Sequence, residues 1–327
     1  MLKIGLIGCG FMGAMHANCY KNIEGVELVA LADIREEKAK ELANGTSATI
    51  YGDGKELIEK ADVDVIDICL PTYLHAKYAV LAMEKVRYVF VEKPVALTLK
   101  EGKELIKKAK ETGTFVQVGQ VIRFWDEYVE LKKIIDSGVY GKVVNANFRR
   151  ISPRPLWGWK NWLLDDTLSG GAGQDLHIHD VDYVLSLFGT PKKFYSVKSN
   201  KGERNSYVNT LMKYNDFVVG VEGTWDLPGN YPFTATFRVV FEKAAVENAG
   251  GKFMLYTDDE ASEIKIEKKE LAGKAYKGGN VSDLGGYYNE LVYFTDKAKK
   301  GEAIEKATLC DGVASLEFLL KELSFKA

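Results

Sequence analysis

Apolar residues over the first 120 positions gather in short, largely apolar runs, at 2–7, 26–32, 48–50, 63–69, 88–91 and 115–118. Between the runs lie stretches in which apolar residues recur every three or four positions, at 12–21, 35–43, 53–60, 73–85 and 98–112. A strand apolar on both sides is buried on both faces. Such strands alternating with amphipathic helices predict an α/β, doubly wound parallel sheet covered by helices on either side. A ligand of such a sheet lies outside the carboxyl ends of its strands.

The pattern changes at about residue 121. A helix at 126–137 is followed by a strand at 142–150, a Trp- and Pro-rich loop at 152–168 and a helix at 173–188 that stops at Gly189-Thr190-Pro191. Half-apolar alternation then predicts strands at 193–199, 207–214, 217–225, 233–241, 252–256 and 262–267, with turns at Asn215-Asp216 and Gly250-Gly251. A Lys- and Gly-rich stretch at 268–282 reads as a solvated loop, and two helices at 285–299 and 305–323 close the chain. The expectation is two domains, 1–120 and 121–327, the second α+β with a large, mostly antiparallel open sheet. Helices cover one face of that sheet. The other face needs a cover, which predicts a homo-oligomer, dimer or tetramer, built through it.

The first strand runs into Gly8-Cys9-Gly10-Phe11-Met12-Gly13, and the second ends in Asp33, 20 positions after the last glycine. Each part of this G-x-G-x-x-G turn has a physical task in dinucleotide binding. Gly8 permits the tight turn. Gly10 leaves room for a pyrophosphate to approach the backbone, and Gly13 lets the helix pack close to the strand. The start of the helix, at Phe11 and Met12, offers N–H groups and a partial positive charge. Asp33 is placed to accept hydrogen bonds from ribose hydroxyls. Its carboxylate would repel a 2′-phosphate, so NAD is expected over NADP, a preference that nearby Arg35 weakens.

Composition narrows the picture further. The 327 residues are 46% hydrophobic and 28% charged, with a net charge of −2. No basic block suggests nucleic acid. No apolar run has the ~18 residues of a membrane span, and the chain enters a strand at once, so a cytoplasmic protein is expected. Cys9, Cys19, Cys69 and Cys310 form no C-x-x-C pair and read as free thiols.

Two further stretches carry candidate chemistry. Glu92-Lys93-Pro94 follows the fifth strand, at the sheet end where a doubly wound fold keeps its site. A lysine there can bond a hydroxyl and stabilise developing alkoxide charge, or it can simply be solvated. The second stretch is Gly170-Gly171-Ala172-Gly173-Gln174-Asp175-Leu176-His177-Ile178-His179-Asp180-Val181-Asp182. His177 and His179 would share a face on a strand. On a helix they lie ~200° apart, so no metal is expected. Asp175 and His179, four apart, do share a helical face, with Asp182 one turn on. His179 is the candidate general base, since an imidazole titrates near ~6.5. His177 reads as structural.

Taken in order, the glycine turn, Pro71-Thr72 with His75, Glu92-Lys93-Pro94, Gly170-Gly171, Asp175-x-x-x-His179 and the closing helices from Tyr287–Glu290 resemble the Gfo/Idh/MocA family of NAD(P)-dependent sugar and polyol dehydrogenases, over essentially the whole chain. The resemblance implies a Rossmann first domain. It implies Lys93, Asp175 and His179 as catalytic residues, and a cis Lys93–Pro94 bond. It places Leu70, Pro71, Thr72, His75 and Glu92 along the dinucleotide with the glycine turn. It also brings Arg123 to the substrate, where many members carry two adjacent basic residues and this chain has Ile122-Arg123. Trp159 and Trp162, in a loop with three Trp in six residues, and Tyr231 are candidate pocket walls.

The activity implied is oxidation of a secondary hydroxyl of a sugar, inositol or related polyol to a ketone. Arg123 and Lys160 leave open a uronate or nucleotide-sugar acid. Two alternatives stand beside this reading. One is a non-catalytic NAD-sensing regulator. The other is an enzyme whose tightly bound NAD oxidises the substrate only transiently.

Overall fold

The computed structural model describes residues 1–199, 206–266 and 284–326. The apolar runs of the first 120 residues form β1 (Leu2–Ile7), β2 (Val26–Ala32), β3 (Thr49–Tyr51), β4 (Val65–Ile68), β5 (Tyr88–Val91) and β6 (Phe115–Val118). Between them lie α1 (Phe11–Tyr20), α2 (Glu36–Ala43), α3 (Gly54–Lys60), α4 (Thr72–Met83) and α5 (Leu99–Thr112). The six strands make one parallel sheet in the order β3-β2-β1-β4-β5-β6. The order reverses between β1 and β4, so the loops after these strands open at the switch point where doubly wound sheets bind ligands. β4 and β5 are buried along their whole length, as strands covered on both faces must be.

The later elements are α6 (Asp126–Ser137), β7 (Val143–Pro153), α7 (Asp166–Ser169), α8 (Ile178–Phe188), β8 (Lys193–Ser199), β9 (Tyr207–Lys213), β10 (Val218–Leu227), β11 (Thr234–Phe241), β12 (Ala245–Ala249), β13 (Lys252–Tyr256), β14 (Ala261–Glu263), α9 (Gly285–Lys300) and α10 (Leu309–Ser324). Eight strands form a second sheet, β14-β13-β12-β11-β7-β10-β9-β8. Only the central β7–β10 pair is parallel. Its covered face carries Phe148, Arg150, Val208, Met212, Phe237 and Val239, all at most 2% exposed. Its other face presents Tyr195, Val197 and Leu211, each more than half exposed.

Three expectations need correction. Strand β12 lies in a stretch expected to be a connection, because only Val246 of its five residues is fully buried and the apolar alternation is too sparse to read. The helix expected at 173–188 opens instead with a π-type turn over Gly173–His177 before α8. The span 121–327 is not one unit. The described residues divide into those within Met1–Val121 and Glu270–Leu316 and those within Ile122–Lys269 and Glu317–Ala327. Helix α9 belongs to the first unit because it packs on α1 and buries Tyr287, Leu291 and Phe294 there. Phe294 meets the Phe90 ring edge-on at 5.3 Å. The expected loop at 268–282 lies outside the described residues, as does the end of the strand expected at 262–267.

Candidate active site

The glycine turn has the geometry that its sequence implies. Gly8 sits at φ +95°, and a Cβ there would stand 2.6 Å from the Cys69 carbonyl oxygen. A Cβ on Gly13 would fall 1.8 Å from the Gly8 carbonyl oxygen, so only glycine allows α1 to lie this close to β1. At Gly10 the nearest neighbour of a Cβ would be Arg35 Nη2 at 3.7 Å, which leaves a cradle at the start of α1. Neither a side-chain cap nor an acidic residue stands in the first turn of that helix. Backbone donors, a positive dipole end and room for a bulky anion coincide there, which fits a pyrophosphate.

Asp33 ends β2 with its carboxylate fixed. Oδ2 accepts the Cys9 N–H at 2.8 Å, and Oδ1 accepts the Arg35 N–H at 2.8 Å. The Arg35 guanidinium lies along the same carboxylate, with both contacts at 3.1 Å. Asp33 and Arg35 thus form one unit at the position expected to meet the ribose. Burial, reinforced by the Asp33 charge, pushes the Cys9 thiol up to about 12.

The loops after β4 and β5 are tied together by His75. Its Nδ1 lies 2.7 Å from the Pro94 carbonyl oxygen and its Nε2 2.6 Å from that of Leu70. Burial draws this imidazole below its ordinary value, and the two carbonyls oppose the change. His75 is 1% and Thr72 2% exposed. His75 thus positions the loop, in which Leu70 and Pro71 are partly exposed. The Lys93–Pro94 bond is cis. Lys93 is partly exposed, and its N–H donates to Glu92 Oε2 at 3.1 Å. Glu92 is 5% exposed and turns inward to His16, with Oε1 3.1 Å from Nε2.

In the second unit, the 175–182 run is sorted by its partners. Arg150, 2% exposed, clasps Asp180 through Nε (2.8 Å) and Nη2 (3.2 Å), and donates to the Tyr128 hydroxyl. Arg123 clasps Asp182 in the same bidentate manner, at 2.6 and 2.7 Å. Arg123 thereby clamps α8. Asp182, expected on the Asp175–His179 face, is fully buried; the wider π-type turn rotates that face and Arg123 draws the carboxylate inward. His177 is buried against Gly223, where any Cβ would touch its ring. Asp175 and His179 alone among the titratable residues of this run keep partial exposure.

The three aromatic candidates all keep some exposure. Trp159 is 38% exposed, with Lys160 Nζ 4.6 Å from its ring centre, and it precedes two residues in left-handed backbone, Lys160 and Asn161. Trp162 and Tyr231 are half-buried. A cavity of about 210 Å³ is lined instead by Asp166, Gly170, Gly171, Gln174 and Trp225, among others. Its wall includes the expected glycine pair but none of the expected aromatics. Trp225, at the end of β10, carried no local signal. Sequence reasoning also missed the His16–Asp67 pair, for which an acid inside the apolar run 63–69 was the available clue.

The fold and the glycine cradle define a protein built on a nucleotide-binding first domain. A family profile described as an oxidoreductase family with an NAD-binding Rossmann fold matches residues 2–120, and the GFO/IDH/MocA C-terminal domain matches residues 128–247. A scyllo-inositol 2-dehydrogenase (NAD(+)) of Bacillus subtilis is 32% identical over 245 residues, 72% of this chain and 70% of the relative. A myo-inositol 2-dehydrogenase of Thermotoga maritima is 30% identical over 191 residues, 58% of this chain. The chain spans 55% of the length of that relative. The structure of a levoglucosan dehydrogenase in complex with NADH and levoglucosan superposes with a TM-score of 0.82 over 98% of each chain, at 22% identity, which is a likeness of fold. The chain belongs to the Gfo/Idh/MocA oxidoreductase family.

Proposed function

We propose that this protein is an NAD-dependent dehydrogenase that oxidises a secondary hydroxyl of a neutral sugar, inositol or related polyol to a ketone. The observation that carries the reading is the sorting of the 175–182 run. Of its five titratable side chains, three are buried, two of them locked by arginines, and Asp175 and His179 keep partial exposure. Four residues apart, they are placed to work as a pair. The inositol dehydrogenases among the relatives support the substrate class. The engagement of Arg123 with Asp182 takes away the strongest partner for a substrate carboxylate and favours a neutral polyol over a uronate.

When bound, NAD supplies the hydride acceptor, which leaves the protein the tasks of binding, orientation and proton handling. The Gly8–Gly13 turn takes the pyrophosphate and Asp33 the ribose. His179 removes the hydroxyl proton, Asp175 orients His179 or a neighbouring hydroxyl, and Lys93 stabilises the alkoxide-like oxygen. The open face of the second sheet seats another copy of the chain.

The test is NADH formation with NAD against inositols, aldoses, uronic acids and nucleotide sugars. Sustained turnover with one neutral class is expected. Lys93→Ala and His179→Ala should each lower kcat by about a hundredfold or more while NAD binding persists. Wild-type turnover in both variants would sink the assignment. NAD binding with no turnover across the panel would favour the regulator or the bound-cofactor reading.

A further inference from the structure

Behind the Lys93 turn the first unit buries a set of charges that the proposed reaction does not use. His16 on α1 stands between two carboxylates. Its Nδ1 is 2.8 Å from Asp67 Oδ2 on β4, and its Nε2 is 3.1 Å from Glu92 Oε1, at ion-pair distance though off the hydrogen-bond line. Asp67 Oδ2 also accepts the Tyr20 hydroxyl at 2.8 Å. The second oxygen of Glu92 accepts the Lys93 N–H. Gly119 makes room for this carboxylate, since a Cβ there would come within 3.0 Å of Oε2. Glu290 on α9 is fully buried, and neither of its oxygens has a hydrogen-bond partner.

We propose that His16, Asp67, Glu92 and Glu290 form a buried proton-sharing site in which Glu290 is kept as the neutral acid and Glu92 is a positioning residue for Lys93.

Charge balance supports this assignment. Carboxylates at both ring nitrogens favour an imidazolium, which has two donors to offer. Burial opposes that charge on His16, but Asp67 and Cys69 outweigh it and hold the ring well above its ordinary value. One imidazolium cannot balance three buried carboxylates. Burial, then the Glu92 charge, raises the Glu290 carboxyl well above the usual range; His16 opposes this, Asp67 adds to it and Lys306 opposes it least. A neutral Glu290 adds no further charge beside Glu92, which contacts His16 and accepts the Lys93 N–H. A metal is the competing occupant, because Cys69 Sγ lies 3.3 Å from His16 Nδ1 and 3.5 Å from Asp67 Oδ1. A ligand there must be a thiolate, and burial with the Asp67 charge pushes the Cys69 thiol far up. Tyr287, one turn before Glu290 on the buried face of α9, brings its ring to 6.3 Å from that of His16, so the face that carries Glu290 is turned to this cluster.

The role of Lys93 rests on the proposed reaction, whereas the proton on Glu290 does not, so the two are tested separately. Thermal unfolding is followed from pH 5 to 8.5 for the wild type and Glu290→Gln. A carboxyl whose folded value is raised contributes stability below its unfolded value near ~4.3, and that contribution is lost as pH rises towards the folded value. The amide carries no such slope. The Tm of Glu290→Gln relative to wild type should therefore rise by roughly 2–4 °C per pH unit. Glu92→Gln, which keeps an acceptor for the Lys93 N–H but removes the charge, should flatten the wild-type slope. It should also shift the pH profile of kcat with NAD affinity unchanged. A pH-independent Tm difference in both variants overturns the proton site, as does stoichiometric zinc in the purified protein that is lost in His16→Asn. An unshifted kcat profile in Glu92→Gln ends the positioning role. Should Lys93→Ala retain full turnover while the Tm slopes behave as expected, the reaction assignment fails and the buried site stands.

Discussion

Two arginines decide which carboxylates of one helix are available for chemistry. Arg150 and Arg123 each take an acid from α8, Asp180 and Asp182, and both acids are fully buried. The sequence shows the carboxylates crowded at 175–182 but not their partners, which lie 30 and 59 residues away. The same distance in sequence hid His16 and Asp67, 51 residues apart. The glycine turn was readable because its demands are local: backbone conformation at Gly8 and close approach at Gly13 exclude other residues. Arg150 also gives a measurable consequence. Arg150→Ala should cost about 3–5 kcal/mol in urea unfolding, since it strands a buried Asp180. Arg150→Met combined with Asp180→Asn should recover much of that loss, because the uncompensated charge is gone. A double variant no more stable than Arg150→Ala would show that packing of the long side chain, rather than the charge pair, is what matters.

Elements were legible where their boundaries carry chemistry of their own. Helix α5 starts at a complete capping box, in which Thr98 Oγ1 accepts the Glu101 N–H at 3.2 Å and Glu101 Oε2 accepts the Thr98 N–H at 2.9 Å. It stops at Gly113 in left-handed conformation. Thr98→Ala removes one half of that box and should lower stability by about 1 kcal/mol, seen as a reduced urea midpoint with an unchanged slope. Where boundaries are silent, pattern fails in specific ways. Strand β12 has a single fully buried apolar residue among five. Helix α9 displays an apolar stripe, but a stripe records that a face is buried and not what buries it, so its assignment to the first unit waited for the structure. The π-type turn before α8 leaves no trace in hydrophobic periodicity. It matters for function because it sets the rotation at which Asp175 and His179 leave the helix, and turns of this kind recur at functional sites.

At the scale of the whole molecule the second sheet poses the largest open question, since one of its faces is finished and the other is not. Tyr195 and Val197 on β8 and Leu211 on β9 lie 56–63% exposed, and Tyr195 pairs directly with Leu211 across the strands. Lys193 and Lys213, also paired, mark the end of this apolar patch. Large aliphatic and aromatic side chains in a row on a wide sheet are costly to leave in water, and a flat face of this kind is self-complementary under a two-fold axis. A second copy is therefore the occupant we expect, and a charge in the patch tests it without touching the core, because these side chains point away from the covered face. Leu211→Glu should move the mass measured by light scattering on a sizing column from oligomer towards monomer while the far-ultraviolet circular dichroism stays unchanged. Glu replaces an apolar contact with two like charges brought together across the axis, so the effect should exceed that of Leu211→Ala and shrink in high salt. A wild-type protein already monomeric at micromolar concentration, or a Leu211→Glu variant that assembles as before, would mean that this face is covered by something other than a second copy.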